Sequence, residues 1–319
     1  MTEQELQRIL NDILLRCFSK DRVCYVEGCN KKAIHSHLLQ KNGILSQIAV
    51  KDHVYEVQFK VYPKGRLLIK KEGINKAFAP FLFCPQHDDK IFKAIEKEIL
   101  VELDYHSILL YSLRAVLKEH REKEIVIDYY TRIINGNFTK LNVNTEKIKD
   151  AINAETLLSI DLDYLVHSIT DDLSNKTESY YYKVYSMTML EVCASAVYSL
   201  ESIADSISPS GKKDLLSCVV VSIIPFEKET KMILLYHKEV NQKVLDEIES
   251  YDCSSEEELI KKVSDLLIKN ISTWICSENF YESNVAKREK KILELMNYYT
   301  KRNQFLKEKV PLNLFVTTI

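Results

Sequence analysis

Glycine and proline are scarce, with six of each in 319 residues, fewer than average usage provides. So few turn formers favour long helices. Long apolar runs are missing as well. The longest, Cys218 to Phe226, suits a strand and falls far short of the roughly 18 residues a membrane-spanning helix needs. The first segment, MTEQELQRILNDILLRCF, has acidic residues early and helical apolar spacing, whereas a secretory signal needs a basic start and an unbroken apolar core. It is expected to be a first helix, and the protein cytoplasmic, with no membrane partner. There the cysteines are thiols or metal ligands before they are disulfides. A phosphate-binding glycine loop and a G-x-S-x-G elbow are both lacking, which disfavours common nucleotide hydrolases and esterases. With a net charge of -2 there is no global basic field, so a nucleic-acid partner would need a local basic patch.

The 46% apolar and 28% charged fractions are those of a globular chain with a real core. The pattern predicts a helix from Met1 to about Asp21, an irregular segment from Asp21 to Gly43, and a hairpin of 53–61 with 66–70 turning at Pro63-Lys64-Gly65. A helix opens at Cys84-Pro85. Residues 101 to 204 read mainly as helix, with Leu109, Leu113, Val116 and Leu117 facing a core and charges facing water. Loops are expected at Asn135 to Lys149 and Asp171 to Glu178. Beyond them come a strand at the tyrosines 180 to 182, an apolar segment, a hairpin of DLLSCVVVSIIPF with KETKMILLYHKEV, and helices over Glu256–Asn270 and Asn284–Lys307. The expected class is α+β: a treble-clef domain over residues 1–100, then 101–319 as a mainly helical region and a small C-terminal antiparallel sheet with helices, with a second boundary near 178.

Eight cysteines and eight histidines are present, and an unusual share falls in CYVEGCNKKAIHSH (24–37) and CPQHD (84–88). Zinc prefers thiolate and imidazole in a tetrahedral shell, and structural sites are built from two ligand pairs, each close in sequence. Cys24-x4-Cys29 and Cys84-x2-His87 are such pairs. Gly28 lets the first curl, and the helix start favours a bound thiolate in the second. A loop pair, a hairpin and a helix-start pair are what a treble-clef zinc module needs. The four residues are the expected ligands of a structural Zn2+. Cys17, Cys193, Cys218, Cys253 and Cys276 stand alone and read as buried apolar thiols.

Between the pairs, extended backbone over 34–38 would set His35 and His37 on one face. With the two pairs, this arrangement resembles the HNH nuclease family. The resemblance implies His37 as the general base that activates water, Asp88 as the last catalytic metal ligand, and His35 as the other metal-binding residue, with Mg2+ or Mn2+ as the catalytic ion. It implies a metal-dependent endonuclease acting on nucleic acid, in a bacterial defence setting. The chain departs from the family pattern in three ways: His87 stands where a second cysteine is usual, 46 residues separate His37 from Cys84, and neither Asn42 nor Asn75 is clearly the central asparagine. His37 could instead be a zinc ligand with Cys24, Cys29 and Cys84, leaving His87 beside the ion. The alternative function is a noncatalytic, zinc-stabilised interaction or sensor protein, with a protein partner or a second copy of itself. The strings SHLLQKNGILSQIA, GINKAFAPFLFCPQHDDKIFKAIE and LLYSLRAVLKE are also similar to an uncharacterised group of bacterial proteins with an N-terminal Cys/His module. That likeness implies no activity.

Other candidates are weaker. Arg114 and Glu119 could form a polar site, yet such residues on a helix are more often a solvated face. Trp274, Ser277, Glu278 and Asn279 could line a pocket or be buried at a helix end. Tyr180, Tyr181 and Tyr182, with Lys183 nearby, suit a strand better than base stacking.

Overall fold

The computed structural model describes residues 2–60, 66–96, 103–136, 144–208, 210–301 and 308–316. The expected turn at 63–65, the boundary near 100 and the end of the last helix at 302–307 lie outside them.

Helix α1 (Glu3–Phe18) starts with a reciprocal cap. The Thr2 hydroxyl accepts the Glu5 N–H at 3.2 Å, and the Glu5 carboxylate takes the Thr2 N–H at 2.7 Å, satisfying donors a helix start leaves open. Its apolar stripe Leu10, Leu14 and Cys17 packs on Tyr129 and Ile133. A wide turn over Lys41–Leu45 leads into α2 (Ser46–Ile48), a single turn. Strands β1 (His53–Lys60) and β2 (Arg66–Gly73) pair antiparallel from His53 opposite Gly73 to Lys60 opposite Arg66. Helix α3 (Pro85–Glu96) follows, then two 31-residue helices, α4 (Tyr105–Asn135) and α5 (Thr145–Asn175).

The remaining strands are β3 (Tyr180–Thr188), β4 (Val192–Ser199), β5 (Cys218–Pro225), β6 (Glu229–His237) and β7 (Trp274–Cys276). Between and after them lie α6 (Gln242–Glu249), α7 (Glu256–Lys269), the single turn α8 (Glu278–Phe280) and α9 (Glu289–Lys301). The sheet is larger than the small C-terminal one expected: seven strands in the order β2-β1-β7-β4-β5-β6-β3, every pair antiparallel. Three-residue β7 is the link, pairing Tyr55 with Cys276 on one side and Val192 with Cys276 on the other. The N-terminal hairpin and the C-terminal strands therefore form one sheet.

Both faces of the sheet's central strands are buried, and period-two alternation sorts the side chains. Val220, Ile224, Ile233, Leu235 and Ile275 face the side of α3, α4 and α5. Val219, Val221, Ile223, Met232, Leu234 and Trp274 face the side of α6, α7 and α9. A strand covered on both faces is apolar at nearly every position, as Cys218 to Pro225 is. The class is α+β, a mixture of helix and antiparallel sheet. Among the described residues no helix is long and apolar enough to cross a membrane.

Three local expectations are corrected. Asn144 caps α5 by accepting the Lys147 N–H at 3.1 Å, so helix begins inside the expected 135–149 loop. At its other end α5 runs to Asn175, because buried Asp172 accepts the Ser179 N–H at 2.7 Å and the Thr177 hydroxyl at 2.6 Å; only the link to β3 remains of the 171–178 loop. The polar residues of α4 are not a water-facing stripe. Arg114, Lys118 and Arg121 are buried, since the helix lies between the sheet, α5 and the Cys/His region.

Candidate metal centre

The backbone over 22–33 folds into a tight knuckle. Cys24 N–H donates to Lys31 O (2.9 Å), Cys29 N–H to Val26 O (3.0 Å) and Ala33 N–H to Arg22 O (2.7 Å). Gly28 closes the turn at φ 72°, a conformation that costs glycine little. The chain then runs antiparallel to 78–83: Ile34 N–H bonds Phe83 O at 2.8 Å, Ser36 N–H bonds Pro80 O at 2.9 Å and Leu38 N–H bonds Phe78 O at 3.0 Å. Those contacts deliver Cys84 and the first turn of α3 to the knuckle.

The result is a cluster of Cys24, Cys29, Cys84 and His87 whose ligand atoms all lie within 4.8 Å of one another. Cys24 Sγ is 3.3 Å and Cys84 Sγ 3.5 Å from His87 Nδ1, and Cys29 Sγ is 4.0 Å from Cys84 Sγ. The edges of a tetrahedron around a zinc ion, with bonds of about 2.3 Å to sulfur and 2.0 Å to nitrogen, are roughly 3.5–3.8 Å. These four residues could hold a metal ion such as zinc. Burial pushes the Cys24 thiol up. Burial also works against the Cys84 thiolate, but hydrogen bonds from the His87 and Gln86 backbone and from the neighbouring thiols outweigh it and hold that thiol below its ordinary value.

Helix α4 braces the cluster with two arginines seven residues apart, on one face. Arg121 donates to Phe81 O at 2.9 Å and Val23 O at 3.1 Å, next to both halves of the cluster, and its guanidinium lies 4.1 Å over the Tyr25 ring. Arg114 is completely buried. Its guanidinium sits 3.9 Å over Phe92, pairs with Asp88 at 3.4 Å and pairs more closely with Glu96. Asp88, Phe92 and Glu96 are four residues apart on α3, so they form one ridge.

The residues expected for catalysis do not gather. Among the described residues, the four-residue cluster is the one group of three or more Cys, His, Asp or Glu side chains placed to share an ion. His35 is exposed, with Nδ1 donating to Ala79 O at 2.6 Å. His37 Nε2 lies 2.8 Å from Ile74 O. A carbonyl only accepts, so the proton is on Nε2 and the neutral ring keeps its Nδ1 lone pair. Burial, aided by Lys41 and Arg114, lowers the His37 pKa. Asp88 is engaged by Arg114 and by Ser36. His87, not His37, is the imidazole of the cluster.

Glu96 and the cation site of Arg114 were missed in the sequence, although the four-residue spacing of Asp88, Phe92 and Glu96 carries the signal. Glu119, paired in the sequence reading with Arg114, instead takes the ammonium of buried Lys118 at 2.9 Å, which also donates to Thr273 at 2.6 Å. Trp274 is a core residue, Ser277 caps α8 by accepting the Phe280 N–H at 2.9 Å, and Glu278 pairs with Lys71. Asn279 alone of that group lines a cleft, of about 560 Å3, with Thr188, Glu191 and Glu256. Of the five solitary cysteines, Cys17, Cys193 and Cys276 are buried as expected and Cys218 and Cys253 are half-buried; burial raises the thiol pKa of all five.

Comparison of the chain with protein-family models, curated proteins and solved structures finds no match.

Proposed function

We propose that the protein is a zinc-stabilised, HNH-like treble-clef protein without nuclease chemistry, an interaction or sensor protein in which one Zn2+, on Cys24, Cys29, Cys84 and His87, holds the N-terminal fold. The observation that carries this reading is Arg114. Its buried guanidinium pairs with Asp88 and Glu96, so the carboxylate that the resemblance assigns to a catalytic ion is already paired with a cation of the chain itself. Among the described residues, His35, His37 and Asp88 are not placed to share a second ion.

The second reading, a metal-dependent nuclease, is favoured by one feature. His37 is held by a backbone carbonyl with Nδ1 unprotonated and its pKa lowered, as a general base requires. Incubation of wild type and His37→Ala with DNA and RNA in Mg2+ or Mn2+ separates the two. We expect no cleavage by either. Cleavage by wild type that falls about 10²–10⁴-fold in His37→Ala would establish the nuclease instead. In that case the rate would be full at neutral pH and would fall with acidification through a pKa below the ordinary histidine range, as the base becomes protonated.

A further inference from the structure

Strand β3 is one edge of the sheet, and its outer side is open over a defined stretch. Alternate residues of an antiparallel strand direct N–H and C=O to opposite neighbours. Ser179 O accepts the Lys238 N–H at 2.9 Å, so odd-numbered residues face β6 and even-numbered ones face outward. Two contacts agree: Tyr180 N–H donates outward to the Tyr105 hydroxyl at 3.3 Å, and Thr188 N–H donates to the Glu256 carboxylate. Between these two closed ends, Tyr182, Val184 and Ser186 present N–H and C=O groups with no partner among the described residues.

The usual devices that blunt a sheet edge are absent or neutralised along this stretch. β3 has no proline and no bulge, pairing with β6 at nine consecutive positions. Its one lysine, Lys183, is tied to Asp252. Tyr181, Tyr182 and Val184 are 54%, 41% and 37% exposed. At the opposite edge the β2 backbone is met by α9, where Asn297 accepts the Leu67 N–H at 3.3 Å.

We infer that this edge pairs with a second copy of the chain, β3 against β3 about a two-fold axis at Val184, joining two sheets into one. Outward residues must meet outward residues, and this register uses all three. Val184 faces Val184 of the other copy, Tyr182 faces Ser186, Lys183 faces Tyr185 and Tyr181 faces Met187. Tyr180 and Thr188, whose outward N–H groups are already taken, lie four residues either side of Val184, so the open stretch is symmetric about this axis. Centring the axis on Lys183 would set Ser186 opposite Tyr180 and leave it unpaired. The symmetry of the open stretch thus selects both the partner and the register. The pairing does not depend on the metal centre or on the function proposed above.

Val184→Pro tests the pairing, because the lost N–H points outward and β3 keeps its bonds to β6, the situation in which a strand tolerates proline. Val184→Lys sets like charges at the axis and serves if the proline variant does not fold. In analytical ultracentrifugation of the full chain, wild type is expected to be a dimer and either folded variant to dissociate at least about tenfold more readily. Hydrogen exchange should show the Tyr182, Val184 and Ser186 amides protected in the dimer and open in the variants. A wild type that stays monomeric to about 100 μM, a dimer that both variants leave intact, or a dimer with those three amides open would overturn the proposal.

Discussion

Removing the metal, by chelation or by Cys84→Ser, is expected to open the 22–36 knuckle and the first turn of α3 to solvent while the β4–β5–β6 core stays closed. Structural zinc sites in small modules carry apparent binding free energies of about 10–16 kcal/mol at neutral pH. The total stability of a domain is about 5–15 kcal/mol, so a loss of that size is comparable with the whole. The 22–36 knuckle is held by a few backbone hydrogen bonds and by Arg121, whereas Leu38, Leu39, Phe78, Leu82, Phe83 and Phe92 belong to the main core and should stay closed. Helix α1 is anchored separately on α4 through Leu10, Leu14 and Tyr129, and β1 and β2 belong to the large sheet. Both should persist. Hydrogen exchange with and without chelator checks this: amides of Cys24, Cys29 and Ile34 should exchange at least about 100-fold faster, with Val221 and Leu234 unchanged. Equal exchange in both conditions would mean that the cluster does not hold the fold.

Arg114→Met is expected to be strongly destabilising, by about 3 kcal/mol, the low end for a broken buried pair because the Glu96 carboxylate is partly solvated. It leaves Asp88 without its cation, removes the closer partner of Glu96, and takes a planar group off the Phe92 ring. Arg114→Lys should recover only part, because one ammonium cannot span both carboxylates and stack as a guanidinium does. The triple variant Arg114→Met, Asp88→Asn, Glu96→Gln should recover most of it, since the loss comes mainly from stranded charge and not from missing attraction. Urea unfolding of the four proteins measures this. A single variant within about 0.5 kcal/mol of wild type would show that α3 is not held through this pair.

Much of the candidate centre was legible because its ligands are local pairs. Cys24 and Cys29 close one turn, and Cys84 and His87 open one helix, so spacing alone sets each pair on a common side. His37 is chemically equivalent to His87, and no pattern within the strand segment shows that its Nε2 faces the Ile74 carbonyl. The strands β1, β2, β5 and β6 were legible from alternation or apolar runs between turns. Their union was not: β7 spans three residues, and its pairing of Tyr55 with Cys276 joins positions some 220 apart. Arg114 misled for a related reason. A helix shows which positions are apolar, but not that a second ridge, Asp88–Phe92–Glu96, will cover its charged side. The early start of α5 came from one side chain, Asn144, acting as a cap.

Elemental analysis of freshly purified, untreated protein tests the central claim most directly. Wild type and His37→Ala should each carry about one equivalent of zinc, while Cys84→Ser and His87→Ala should fall below about half. Wild type below about half an equivalent, or zinc lost from His37→Ala and kept in His87→Ala, would contradict the assignment of Cys24, Cys29, Cys84 and His87 as the metal site.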